Sequence, residues 1–235
     1  MDKKLEERYA RQIMLPDFGI EGQTALKNAS VLIVGVGGLG SPIALYLCSA
    51  GVGRLGLIDA DVVSESNLQR QVLYTETEVG LNKVECARRT LLQHNSDCQI
   101  DCYPTFLTRD NADEIIARYD IVVDGCDNFA TRYLIDDCCA RQGKTYVYGS
   151  ICELQGQVSV FDSRKGIRYN DLYSDRETLE ARPRAAAGVI GPTPAIIGSI
   201  EATEVIKLIT GIGEPLYHKV FTINLATMES YTLDL

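Results

Sequence analysis

The segment Gly35-Val36-Gly37-Gly38-Leu39-Gly40 directly follows the apolar run Val31-Leu32-Ile33-Val34. A glycine-rich turn between a strand and a helix lets backbone N–H groups approach an anionic or ribose portion of a ligand, and the helix N-terminus favours negative charge. A second strand ends in Asp59, nineteen residues beyond Gly40. A carboxylate there could accept hydrogen bonds from ribose hydroxyls. Gly35, Gly37, Gly38, Gly40 and Asp59 fit a nicotinamide dinucleotide and adenosine triphosphate equally.

The next cluster separates the two. Ser66-Asn67-Leu68-Gln69-Arg70-Gln71 lies in the loop after the second strand, and Lys83 opens the following helix. These residues can converge at the carboxyl edge of a parallel sheet, where open α/β sheets bind ligands. An arginine fork binds phosphate oxygens in pairs and a lysine acts as a mobile point charge. Two cations suit a polyphosphate better than a hydride carrier, although each alone also fits an ordinary surface ion pair. Asp124 and Cys126-Asp127-Asn128 follow the strand Ile121-Val122-Val123. A carboxylate there could hold Mg²⁺ directly or through water, and Asp127 is the metal candidate. Its alternative task is to cap the helix that begins near Phe129.

These residues need a scaffold of alternating strands and helices. Strands are predicted at Val31–Val34, Leu55–Ile58, Gln99–Tyr103, Ile121–Val123 and Thr145–Tyr148, with helices at Leu5–Arg11, Ser41–Ala50, Lys83–His94, Ala112–Arg118 and Thr131–Arg141. This order implies a Rossmann-like, doubly wound, mainly parallel sheet covered on both faces. From residue 155 the pattern changes to strands at Gln157–Phe161, Lys219–Ile223 and Met228–Leu233 and a helix near Ile196–Thr210, read as antiparallel additions to the same sheet. Arg164–Arg184 lacks apolar periodicity and is expected to be a flexible crossover loop. The expectation is one domain over 1–235, with a nucleotide-binding half 1–150 and a second half 151–235.

At 235 residues and 46% hydrophobic, the chain can bury a substantial core. Its net charge of -9 argues against a generic nucleic-acid binder or an anionic-membrane surface. No stretch has the layout of a secretory signal or approaches the roughly 18 apolar residues of a membrane span, so the expected location is cytoplasmic. The eight cysteines contain no Cys-x-x-Cys pair and read as reduced, mostly buried small hydrophobes. Only Cys152, which follows Tyr148-Gly149-Ser150 close to the expected ligand edge, is considered for a reactive role. His94 and His218 suggest neither a metal site nor a triad.

The motifs Arg8-Tyr9-Ala10-Arg11-Gln12, Gly35 to Gly40, Leu57-Ile58-Asp59-Ala60-Asp61, Ser66 to Gln71, Gly80-Leu81-Asn82-Lys83-Val84, Asp124 to Asn128, Gly156-Gln157 and Ala187-Gly188-Val189 together resemble the ThiF/MoeB/HesA family. The resemblance covers nearly the whole chain. It implies adenylylation of the C-terminal glycine of a small ubiquitin-like sulfur-carrier protein ending in Gly-Gly, for thiamine thiazole or molybdopterin synthesis. It further implies that Gly38, Asp59, Asp61, Ser66, Asn67, Arg70, Gln71, Lys83, Asp127 and Asn128 surround ATP, with Asp127 near Mg²⁺. Arg11 is similar to a family arginine that enters the partner subunit's nucleotide site, implying a homodimer in which it acts as arginine fingers do.

Two departures qualify the resemblance. Many relatives carry zinc-binding cysteine pairs, but the first such region reads Arg168-Tyr169-Asn170-Asp171 here, so structural zinc is not expected. Where some relatives place a cysteine, this chain has Arg182-Pro183-Arg184-Ala185, and a covalent sulfur step there lacks its nucleophile. The carrier is expected to meet the irregular segment and the apolar helix Ile196–Ile209, which could form a groove for its glycine tail. Two other classes remain open: an NAD-dependent oxidoreductase, which leaves Arg70, Lys83 and Asp127 without a task, and a nucleotide-binding, non-catalytic interaction subunit.

Overall fold

Strand formation follows the short apolar runs. β1 (Ser30–Val34), β2 (Arg54–Ile58), β3 (Gln99–Tyr103), β4 (Ile121–Asp124) and β5 (Thr145–Cys152) lie parallel, while β6 (Gln155–Phe161), β7 (Lys219–Asn224) and β8 (Glu229–Asp234) join antiparallel. The result is one eight-stranded sheet ordered β3-β2-β1-β4-β5-β6-β7-β8, the expected fold class. The structure, a computed structural model, describes residues 3–182 and 188–235.

Strand residues alternate between two cores because side chains point to opposite faces. Val31, Ile33, Leu55, Leu57 and Val123 enter the first, whereas Leu32, Val34, Ile58 and Val122 enter the second. The first is covered by α2 (Gly19–Asn28), α3 (Gly40–Ala50), α4 (Lys83–His94) and α9 (Pro192–Thr210), through residues such as Leu26, Leu47, Val84 and Ile197. The second is covered by α5 (Ala112–Ile116), α6 (Phe129–Gln142), α7 (Tyr169–Leu172) and α8 (Arg176–Glu180), through Ile115, Ile135, Tyr169 and Leu179. Each large apolar side chain fully buried in this way stabilises the fold by about 1.5–3 kcal/mol relative to exposure. α1 (Lys3–Ile13) precedes α2, and its Tyr9 packs beside Gly51 at the end of α3.

One expectation needs correction. Residues 164–182 are not an irregular loop: Ser163–Lys165 forms a 3-10 turn, followed by α7 and α8. Ion pairs supply what apolar periodicity does not. Arg168 Nη2 lies 2.9 Å from Asp136 Oδ2 and 2.8 Å from Asp137 Oδ1, and Arg176 Nη1 lies 2.7 Å from Asp137 Oδ2. Both arginines thereby tie the segment to α6. α9 and α7–α8 pack on opposite faces of the sheet. Pro183, Arg184 and Ala185 lie outside the described residues, as do Ala186 and Ala187.

The strand order reverses direction between β1 and β4, which opens a crevice at their carboxyl ends. Glycines close the backbone around it. Gly35 has φ +89°, and a Cβ there would stand 2.6 Å from the Gly125 carbonyl oxygen. Reciprocally, a Cβ on Gly125 or Gly40 would collide with the Gly35 carbonyl. Gly125→Ala is therefore expected to lower stability by about 2 kcal/mol or more, since backbone must shift to admit the methyl group. Urea unfolding measures this, and an unchanged midpoint would contradict the close approach.

Candidate active site

The glycine turn is held from two directions. Asp59, at the end of β2, accepts a hydrogen bond from Val36 N through Oδ2 at 2.9 Å and from Asp61 N through Oδ1 at 2.9 Å. Tyr74, which carried no signal in the sequence, donates its hydroxyl to the Val36 carbonyl at 2.6 Å. Burial, reinforced by the negative charge of Asp59, pushes the Tyr74 phenol up, so it stays a protonated donor. The Asp59 carboxylate keeps lone pairs free for ribose hydroxyls, because two oxygens offer about four acceptor positions.

The middle of the turn is open at Gly37 and crowded at Gly38. A Cβ on Gly37 would meet only Gln71 Nε2, at 3.5 Å, whereas one on Gly38 would stand 3.2 Å from Pro194 Cβ and 3.6 Å from Arg70 Cδ. Arg70 and Gln71 therefore lie over the glycines. One Arg70 nitrogen donates to the Ser66 carbonyl at 3.0 Å, and a guanidinium has further donors. Gln71 is buried, with Oε1 lacking a hydrogen-bond partner among the described residues. Asn67 shapes the same loop, its Oδ1 accepting from Ser64 N at 3.2 Å, while exposed Ser66 lies with its Oγ 3.0 Å from Ser64 Oγ.

Lys83 is not an ordinary surface cation. Its side chain is 6% exposed, and Nζ emerges to meet the half-exposed Asp61 carboxylate at 2.9 Å. The position follows from Asn82, which caps α4 by accepting from Val84 N at 3.1 Å and so places Lys83 in the first turn.

Beyond β4, the capping task falls to Asn128 rather than Asp127: Asn128 Oδ1 accepts from Thr131 N at 2.9 Å. Asp127 is exposed beside it. Asp124 is committed elsewhere. Fully buried, it meets Arg132 Nε at 2.9 Å, Tyr146 hydroxyl at 2.9 Å and Cys126 N at 2.8 Å. Arg132 also donates to the carbonyls of Cys126 at 3.1 Å and Gly149 at 3.2 Å. Glu201 of α9 packs against Gly149, fully buried, with neither carboxyl oxygen hydrogen-bonded among the described residues. Burial pushes its carboxyl well above the usual range, the charge of Asp124 adds to this, and Arg132 opposes it. Sequence reasoning singled out neither Arg132 nor Glu201. The only signal for Arg132 was a cation four residues after the cap, among apolar neighbours.

Arg11 stands apart. It is exposed in the last turn of α1, where neighbouring Gln12 donates to the Ala50 carbonyl at 3.1 Å. Ala50 ends α3 and Gly40 begins it, so α3, about 16 Å long, separates this corner from the same chain's glycine turn. Cys152 is exposed at the end of β5. Among the described residues, no group of three or more His, Cys, Asp or Glu side chains could hold a metal ion, and no helix is long and apolar enough to cross a membrane.

A doubly wound sheet with a glycine turn at its switch point defines a broad class of α/β domain. Within that class the chain belongs to the ThiF family, whose model matches residues 9–235. It is 45% identical over 212 residues to a probable molybdopterin-synthase adenylyltransferase of Porphyra purpurea, covering 88% of this chain and 55% of that protein. It is 43% identical over 231 residues to the probable adenylyltransferase/sulfurtransferase MoeZ of Mycobacterium tuberculosis, covering 96% and 59%. With the adenylyltransferase and sulfurtransferase MOCS3 of Drosophila virilis it shares 48% identity over 211 residues, covering 89% and 47%. The chain thus spans about half the length of these curated relatives. Among solved structures, PaaA superimposes with a TM-score of 0.86 at 26% identity, covering 100% of this chain and 74% of that one. Escherichia coli MccB, solved with AMPCPP and MccA, gives 0.82 at 27% identity, covering 97% and 71%.

The neutral acid Glu201 makes a pH-dependent prediction. Its folded pKa lies above the unfolded value of about 4.3, so the native state holds the proton more tightly and loses stability as pH rises above that value. Glu201→Gln is expected to remove this pH-dependent loss, giving an advantage over the unaltered protein that widens as pH rises above about 4.3. Urea unfolding across that range checks it, and a constant difference would contradict a buried neutral carboxyl.

Proposed function

We propose that the chain adenylylates the C-terminal glycine carboxylate of a small ubiquitin-like sulfur-carrier protein ending in Gly-Gly. The observation that carries this reading is the placement of Gln71 beside the open Gly37 and of Arg70 beside Gly38, with Lys83 and Asp61 beside Asp59. A triphosphate fits such a cradle: N–H groups at Gly37 and Gly38 approach it closely, Asp59 takes the ribose, and the cations face its charge. The names of the curated relatives support adenylyl transfer, in thiamine thiazole or molybdopterin synthesis.

The chemistry is electrostatic. A terminal carboxylate with a reference pKa of about 3.5 is already ionised, so no general base is required. Its oxygen attacks the α-phosphorus, the bond to the bridging α–β oxygen breaks, and pyrophosphate leaves with the electron pair. The product is an acyl-adenylate. Arg70 and Lys83 reduce repulsion between the two anions and stabilise the leaving group, while the glycine turn fixes the phosphate for in-line attack. Asp127 and Asn128 stand at the same edge, where Asp127 would hold Mg²⁺ that screens phosphate charge. In this reading residues 1–150 serve the nucleotide and 151–235 the carrier.

Arg11 completes the site from a second copy. An open apolar groove of about 740 Å³, lined by Tyr46, Val72, Pro192, Ala195, Ile196 and Ile200, runs beside α3 and α9 close to Gln69 and Arg70. A two-fold partner covering this groove would supply its Arg11 to a nucleotide site that the chain's own Arg11 stands a helix length away from.

Carrier-dependent exchange of pyrophosphate into ATP tests the reading. Arg11→Ala and Arg70→Ala are each expected to reduce exchange by about 100-fold or more. Co-expressed together, they should regain about a quarter of the activity, because half the dimers are mixed and each mixed dimer has one intact site. No exchange by the unaltered chain with any Gly-Gly carrier would contradict the function. An inactive mixture in which mixed dimers are demonstrated would contradict the shared site.

A further inference from the structure

The ladder between β4 and β5 ends at Val123 and Val147. Beyond it the guanidinium of Arg132 bridges the two strands, joining Asp124 and the Cys126 carbonyl to the Gly149 carbonyl. Cys126 immediately precedes Asp127, so this bridge sets where the loop carrying Asp127 and Asn128 stands against β5. Glu201 reaches the same place from α9. Its carboxyl fills the space that a side chain at position 149 would need, since a Cβ on Gly149 would collide with its Cδ and with Oε2.

That arrangement is costly. A fully buried carboxyl with neither oxygen hydrogen-bonded among the described residues gives up its hydration without return. Burial is the main cause that raises its pKa; Asp124 of β4 adds to this and Arg132 of α6 opposes it. The other elements packed against α9 turn their titratable groups elsewhere. On α3, Tyr46 is exposed and the Cys48 thiol donates to the Leu91 carbonyl. On α2, Glu21 and Lys27 are exposed. On β5, Tyr146 and Tyr148 enter the second core and Cys152 is exposed, while β6 has no titratable residue. Within α9 itself, Glu204 pairs with Lys207. The acid form of Glu201 makes no claim on Arg132. Its carboxylate would be a second buried anion beside one guanidinium, and the neutral carbonyls of Cys126 and Gly149 are the partners that cation can give up.

We propose that Glu201 is a proton-dependent positioning residue of the nucleotide site: as the acid it leaves the Arg132 bridge intact and the Asp127 loop in place, and on losing its proton to solvent it draws Arg132 away and releases that loop. The assignment rests on the nucleotide reading above and adds to it a control of the loop by pH.

Binding of Mg-ATP to the purified full chain, measured from about pH 6 to pH 9 under conditions where it stays folded, tests this. The unaltered chain and Glu201→Gln are expected to bind alike at the acid end. At the alkaline end the unaltered chain should fall behind by about 10-fold, the loss that one pH unit beyond the titration produces. Glu201→Leu, which removes the ionisable group with an apolar side chain of similar size, should follow Glu201→Gln. Ionisation of ATP itself affects all three chains equally. A ratio between the unaltered chain and the two variants that stays constant with pH would assign Glu201 to packing alone and overturn the proposal, leaving the nucleotide site standing. Absence of Mg-ATP binding by the unaltered chain at every pH would overturn the nucleotide reading and this inference with it.

Discussion

The buried ion pair between Asp124 and Arg132 is the interaction on which the ligand edge depends. Asp124 ends the central strand β4 with no exposure, and Arg132 reaches it from the second turn of α6. Two desolvated charges are tolerable only when nearly every donor and lone pair is used, and removing one partner of such a pair costs about 3–5 kcal/mol. Here the remaining Arg132 donors hold the carbonyls of Cys126 and Gly149, so one guanidinium joins the loop after β4 to the middle of β5. That loop contains Gly125, which is pressed against Gly35, and Asp127 and Asn128. The geometry of the crevice is thus set from beneath by a buried charge pair.

Above this foundation the site is built from loops on a rigid sheet, the usual division between scaffold and function. Asp59 and Tyr74 anchor opposite polar groups of the same peptide residue, Val36, which leaves the neighbouring glycines open without leaving them loose. Lys83 is stiffened by burial of its stem and aimed by Asp61. In the proposed adenylyl transfer such preorganisation counts, because the donors need little reorganisation when charge moves onto pyrophosphate.

Much of this was legible in the sequence, for identifiable reasons. A strand buried on both faces reads as a continuous apolar run, so β1 and β4 were plain, and the glycine turn identified the switch point. The helix α2 was not, since its inward face is made by Gly22, Gln23 and Leu26 rather than a broad apolar stripe. Nor were α7 and α8. Their anchors, Arg168 and Arg176, find Asp136 and Asp137 more than thirty residues away in sequence, and no local periodicity records such a pairing. The partnership of Asp124 with Arg132 was hidden similarly, across a strand end and a helix. Asp127 and Asn128 illustrate a finer limit: adjacent residues of similar capping propensity were distinguished only by the backbone that lets Asn128 reach Thr131 N. Arg11 lies a helix length from its own glycine turn, so the role proposed for it came from the family resemblance alone.

The central claim is that this edge holds a triphosphate nucleotide through Arg70 rather than a hydride-carrying dinucleotide. Thermal unfolding with saturating Mg-ATP and, separately, NAD tests it, because a ligand at 100 times its Kd stabilises the native state by about 2.7 kcal/mol. The account predicts a clear rise in Tm with Mg-ATP, little with NAD, and a diminished Mg-ATP effect in Arg70→Ala. Stabilisation by NAD alone would contradict it.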